Sequence, residues 1–174
     1  MDAQADDIRS YFRLARIHED AGRLADAEAV FLQAQTAAPG QPAVWSQTAR
    51  FFDRQGRFDE AMAAYARLTR LDPDDPRPFY QMAVFYEEKV RKDASLSSTQ
   101  RADYLTAGVE AVDQALALRP DGLEALVYKN LLLRQQARFE TDPARQRTLG
   151  DEAERLQRQA MKFRNQQAGA PRRP

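Results

Sequence analysis

Residues 42–73 read PAVWSQTARFFDRQGRFDEAMAAYARLTRLDP. The stretch describes two short helices and the turn between them. Pro42 opens the first helix at the position where a missing N–H costs nothing. Trp45, Ala49 and Phe52 then recur at helical spacing. Gly56 stops the helix, because glycine takes the left-handed conformation that a helix end commonly needs. Phe58 to Leu71 form the second helix, with Ala61 and Tyr65 facing inward and Asp72-Pro73 closing it. The same slots recur 34 residues upstream as Tyr11, Ala15, His18, Gly22, Ala27, Phe31 and Pro39. A fixed period of this length marks a solenoid, in which each hairpin buries its apolar face only against its neighbours.

Downstream the period stretches. Phe79, Ala83 and Tyr86 keep the 34-residue step, whereas Val112, Leu118 and Pro120 stand 47 residues after Tyr65, Leu71 and Pro73. The third hairpin therefore carries 13 extra residues, which lengthen both of its helices. Ser97 with Gln100 predicts a capping box at the start of its second helix. A fourth pair follows. Asp121 with Glu124 reads as another capping box, and Leu123, Leu126, Val127, Asn130, Leu131 and Leu133 line one broad face. Pro143 opens the last helix, whose stripe is Leu149, Ala153, Leu156, Ala160 and Phe163. The expected fold is an all-α, right-handed α-solenoid of four antiparallel helix pairs, the last two elongated. Its units span about 8–41, 42–75, 76–122 and 123–166 within a single domain over 1–167, with a disordered tail at 168–174.

The 26 basic and 26 acidic side chains cancel, so no net field steers the chain onto nucleic acid or anionic lipid. The first half is richer in acids and the second in bases. No acid follows Glu154, whereas Arg155, Arg158, Lys162 and Arg164 do. With no cysteine, disulfides, zinc–thiolate sites and thiol nucleophiles are excluded. His18 is the single histidine and fills an aromatic core slot, which argues against a His-based triad or metal site. Asp72-Pro73-Asp74-Asp75-Pro76 reads as a turn plus N-cap rather than a cation site. Glu87 and Glu88 read as solvated helix acids. No catalytic residue, metal or cofactor is expected. No apolar run approaches a membrane span, and the acidic start is unlike a signal peptide.

These residues resemble the tetratricopeptide repeat family, whose pattern is W-x2-L-G-x2-Y, then A-x3-F, then P. Trp45, Thr48-Ala49, Phe52, Gly56, Ala61, Tyr65 and Pro73 fit it best. Tyr11, Leu14-Ala15, His18, Gly22, Ala27, Phe31 and Pro39 form the unit before, and Phe79, Met82-Ala83, Tyr86, Gly108, Val112 and Pro120 the unit after. The resemblance covers about residues 8–140. It implies packing roles for the recurring positions, with Ile17, Phe51, Phe85 and Leu132 stacked between units. It also implies that the first helices of successive units line a concave groove for a peptide or partner helix. The groove residues are then Phe12, Arg16, Gln47, Arg50, Arg54, Arg77, Tyr80, Gln81 and Val84. Val127 and Leu131 belong either to this strip or to the packing under the last helix. The family's chaperone-binding carboxylate clamp is not expected, since its Lys–Asn pair is missing from the first unit. The expected function is a non-enzymatic protein-interaction scaffold, monomeric, with a homodimer as the alternative. A second reading is the repeat region of a larger envelope or secretion assembly, and a third is an enzyme of unrecognised type.

Overall fold

The computed structural model describes the backbone of residues 3–169 and the side chains of residues 8–166. Among the described residues the chain forms α1 (Ala3–Asp20), α2 (Leu24–Ala37), α3 (Pro42–Arg54), α4 (Phe58–Leu71), α5 (Pro76–Lys92), α6 (Ser98–Leu118), α7 (Leu123–Phe139) and α8 (Pro143–Gly169), with no strand. Successive helices pair as hairpins. Residues 170–174 of the expected tail lie outside the described residues. The chain divides into two compact units, Met1–Pro73 and Asp74–Pro174.

In unit one the hairpin turns follow from glycine. Gly22 and Gly56 have φ of +71° and +68°, which residues with a Cβ rarely adopt. Each closes its helix in the same way. The Arg23 N–H donates to the His18 carbonyl at 2.8 Å and the Gly22 N–H to Glu19 at 2.9 Å. Arg57 and Gly56 repeat the pattern on Phe52 and Asp53. This is the Schellman arrangement. Ala15, Ala27, Ala49 and Ala61 are all but fully buried, which lets the paired helices approach closely. Phe31 of α2 stacks on Phe51 of α3 with ring centroids 5.0 Å apart, and Phe51 meets Phe52 at 5.3 Å. The same α2–α3 seam carries a hydrogen bond from Gln35 Nε2 to the buried Thr48 Oγ1 at 3.2 Å. Trp45 is half-buried rather than enclosed, and its indole N–H donates to the Pro39 carbonyl at 2.8 Å.

Unit two keeps the hairpin but lengthens it, with 17 residues in α5 and 21 in α6. The expected capping box forms. The Gln100 N–H donates to Ser97 Oγ, and the Ser97 N–H donates to Gln100 Oε1 at 3.0 Å. Asp75 caps α5 by accepting the Arg77 N–H at 2.9 Å. The second box does not form. Gly122 is the N-cap of α7 and supplies no side-chain bond, while Asp121 lies 3.5 Å from Arg119 instead. Leu105, Val112, Leu126 and Leu132 fill the interior. Gly108 occupies the slot of Ala27 and Ala61 because space is shorter there. A Cβ on it would stand 2.8 Å from Leu132 and 3.0 Å from Tyr86.

Candidate functional site

The expected groove residues fall in both units. In unit one, Phe12 is half-buried with its ring 6.5 Å from Phe31, and Gln47 is half-buried. Arg16 is exposed and lies 3.8 Å from Asp20. Arg54 is tied down, donating to both Glu19 oxygens at 2.7 and 2.8 Å. That pair ties the last turn of α1 to the last turn of α3. Arg50 is exposed. It has no acid partner among the described residues within ion-pair reach.

In unit two, Arg77 folds back onto its own cap, with Nε 2.9 Å from Asp75 Oδ1. The guanidinium holds the Asp75 carboxyl below its ordinary pKa, and the backbone N–H of Arg77 adds to the effect. Tyr80 meets Tyr128 of α7 edge-on at 5.6 Å. Burial raises its phenol pKa, and Tyr128 and Glu124 add to the rise. Gln81 and Val84 are half-buried on the same helix. Gln135 of α7 donates to Glu87 Oε1 of α5 at 2.7 Å. The first helices of this unit therefore adjoin, through α5 and α7.

Three expectations are corrected by this geometry. Glu87 is not solvated. It is 5% exposed, held by Gln135 and by Arg91 at 3.4 Å. Val127 and Leu131 do not pack under the last helix. They are exposed and border an open groove between α7 and α8 with Met161 and Arg164. Ile17, expected to stack like its counterpart Phe51, is 59% exposed against 1% for Phe51. Phe51 has the Phe31 ring of α2 on it, and no helix described in unit one covers the equivalent face of α1. His18 also differs from a plain core filler, since its Nδ1 accepts the Arg23 Nε–H at 3.1 Å.

A further cluster, unannounced by any repeat position, sits where α6 begins and α7 ends. The Arg101 guanidinium lies over the Phe139 ring, 4.4 Å from its centroid, and Arg138 lies at 5.8 Å. Such contacts contribute about 0.5–1 kcal/mol at exposed sites. Arg101 Nη2 donates to the Leu96 carbonyl at 3.3 Å, but its Nε–H is buried with no acceptor. A buried donor left unpaired costs about 1–3 kcal/mol. A cavity of about 400 Å³ opens on one side of the pair, lined by Ser98, Leu105, Gln136, Arg145 and Leu149 among others. A second of about 550 Å³ opens towards Arg91, Leu131, Arg134 and Arg138. The signal that would find this cluster is the 13-residue insertion itself, since Ser98 and Arg101 lie within it. No group of acids and histidines suited to a metal ion occurs among the described residues, and no described helix is long and apolar enough to cross a membrane.

The sequence model of the tetratricopeptide repeat matches residues 2–42 and 12–76. No curated protein matches the sequence. Among solved structures, the MamA protein superimposes with a TM-score of 0.68 at 14% identity, covering 99% of this chain and 82% of MamA. A thermophilic tetratricopeptide repeat protein of Thermus thermophilus gives 0.54 at 17% identity, covering 90% and 91%. A mutant O-GlcNAc transferase of Thermobaculum terrenum gives 0.54 at 19% identity, covering 89% of this chain but 27% of the transferase. At these identities the likeness is one of fold. With the 34-residue period, the alanine crossings and the glycine-closed turns now placed on paired helices, residues 2–76 are tetratricopeptide repeats, and the chain as a whole has the fold of tetratricopeptide repeat proteins.

Proposed function

We propose that the chain is a non-enzymatic scaffold whose first helices bind a protein partner as an extended peptide or a helix. One contrast within unit one carries the reading. The packing positions of the repeat, such as Ala15 and Ala49, are buried. Arg16 and Arg50, which share one slot 34 residues apart on α1 and α3 but lie outside the packing pattern, are exposed, and Arg50 has no acid within ion-pair reach among the described residues. Arginine and aromatic side chains on an otherwise architectural surface are the residue types that most often dominate binding energy. In unit two the corresponding anchor is Tyr80, with Gln81 and Val84 beside it. The likeness to the Thermobaculum transferase does not favour an enzyme, because this chain covers 27% of that protein.

The test is affinity capture from lysate of the source cells with wild type, Arg50→Glu and Tyr80→Ala. Circular dichroism confirms that each variant is folded. Partners that bind wild type should fall about tenfold in occupancy with either variant, the equivalent of losing roughly 1.4 kcal/mol. Identical partners at identical occupancy in all three would remove these faces from consideration.

A further inference from the structure

We propose that the lengthened hairpin end of unit two binds a carboxylate-bearing peptide segment, with Arg101 and Arg138 taking the carboxylate and Phe139 taking an adjacent apolar side chain. The proposal rests on the reading of the chain as a protein-interaction scaffold, but it uses none of the groove positions given above.

Charge balance at the rim is the first argument. Each acid there already has its partners. Glu140 accepts the Thr141 and Asp142 N–H groups and lies 3.3 Å from Arg145. Asp93 is held by Lys89 at 3.0 Å and by Ser95. Glu87 is held by Gln135 and Arg91. The arginines are not balanced in the same way. Arg101 donates only to a backbone carbonyl. Arg134 donates to the neutral side chains of Asn130 and Gln157 at 3.3 and 2.9 Å. Arg138 has no acid within ion-pair reach among the described residues. Three guanidiniums thus converge with no carboxylate of their own, and a guanidinium's fork of donors suits a planar carboxylate.

Shape is the second argument. Phe139 is 44% exposed and stands between the two cavities, so an apolar side chain can lie against it from either side. Leu105 and Leu149 give the first cavity an apolar floor, and Ser98 and Gln136 supply hydrogen-bonding groups at its edge. Aromatic and arginine anchors flanked by polar groups are the usual make-up of an interface centre. The position also has a sequence rationale. The strict hairpins of unit one have no counterpart to Arg101, because it lies in the added residues.

The probe is an array of synthetic peptides. Each carries one leucine or phenylalanine and an increasing number of aspartates or glutamates, with either a free or an amidated C-terminus. Saturable binding should rise with the carboxylate count. It should weaken about tenfold in an Arg101→Gln, Arg138→Gln double variant and stay unchanged in Arg50→Glu. Dependence on the free C-terminus would identify the terminal carboxylate as the group bound, and indifference to it would identify side-chain carboxylates. Arg138 is exposed, so Arg138→Gln alone, read for the same direction of change, serves if the double variant does not fold. The proposal is overturned by an absence of saturable binding, by equal binding to the arginine variants, or by displacement with inorganic phosphate at matched concentration. Tighter binding of a uridine oligonucleotide than of every peptide also overturns it and assigns the surface to nucleic acid. Peptide binding lost in Arg50→Glu but kept in the double variant would overturn it in favour of the groove. The lysate capture with Arg50→Glu and Tyr80→Ala is independent of all these outcomes.

Discussion

The two units solve the same packing problem with different chemistry. Unit one keeps the strict period and fills the seam between its hairpins with aromatic rings, Phe31 against Phe51 and Phe51 against Phe52. Unit two has longer helices and fills the equivalent seam with branched aliphatics and a polar framework. There Leu132 replaces the ring, and Lys129 lies 2.8 Å from Asp113 of α6 and 3.1 Å from Glu152 of α8. The buried Asn130 donates to the Ala153 carbonyl. Apolar contacts are non-directional, so a strictly repeating seam needs little else. Buried polar groups must find partners at fixed geometry. They therefore fix the register of helices whose lengths no longer follow the period.

Removing the ring at the centre of the first seam should have the largest effect. Phe51→Ala leaves a cavity at a site 1% exposed, and such truncations cost about 3–5 kcal/mol. Urea unfolding followed by Trp45 fluorescence reports on unit one directly, since Trp45 is the only tryptophan. Trp45→Ala should cost less than its size suggests, because the indole is only half-buried. A loss below about 1 kcal/mol for Phe51→Ala would mean that the aromatic seam does not hold unit one together, and the contrast with unit two would fail.

Next in size is a substitution that asks unit two to accept the small side chain of unit one. Gly108→Ala puts a Cβ 2.8 Å from a Leu132 methyl and 3.0 Å from the Tyr86 Cβ. Leu132 is fully buried and has little room to move. Overpacking of this kind costs about 1–3 kcal/mol, more than the roughly 0.8–1 kcal/mol of helix propensity that alanine recovers. Thermal unfolding should therefore show a lower midpoint for Gly108→Ala, partly restored by adding Leu132→Val. A higher midpoint would show that the seam of unit two is looser than the distances imply.

Much of this was legible in the sequence because it was local or periodic. Gly22, Gly56, Asp75 and the Ser97–Gln100 pair announce their structural roles within a few residues. Ala27 and Ala61 do so by recurrence. The family and the all-α repeat fold followed from the same letters. The misreadings share a different cause. Asp121 with Glu124 has the spacing of a capping box, but Gly122 takes the cap. Ile17 sits in the right slot, but burial of that slot depends on a preceding hairpin, which Phe51 and Leu132 have and which Ile17 lacks among the described residues. Glu87 is buried by Gln135, 48 residues away, and the Arg101–Phe139 contact joins an inserted residue to the end of α7. Contacts of that kind carry no periodic signal. The groove residues named from the family stand as proposals, and their placement on the first helices of the hairpins is what supports them.

A smaller effect belongs to the cap itself. Ser97→Ala removes the acceptor of the Gln100 N–H at 3.2 Å and should cost about 0.5–2 kcal/mol. Gln100→Ala, which removes the reciprocal bond, should cost less. Hydrogen exchange localises both losses to the first turn of α6. If exchange there is unchanged, the inserted segment is held by packing of Leu96 and Arg101 and not by its cap.

The smallest effect is a pH dependence confined to the alkaline side. Burial by itself lowers the Lys129 pKa, but the bonds to Asp113 and Glu152 outweigh it and hold the ammonium above its ordinary value. A cation raised in the folded state contributes stability that is fully present below the unfolded pKa of about 10.4. That contribution is lost as pH rises through the folded value. Tyr65 and Tyr80 act in the same direction, because burial raises both phenols, so the unfolded chain ionises first and gains. The Lys129 share is isolated by difference. Wild type and Lys129→Met should differ in unfolding free energy by a constant amount through neutral pH, and the difference should shrink above about pH 10. A gap that stays constant past that point would show that Lys129 acts in unit two through its methylene packing alone. The polar framework would then owe its order to Asn130 and Glu87.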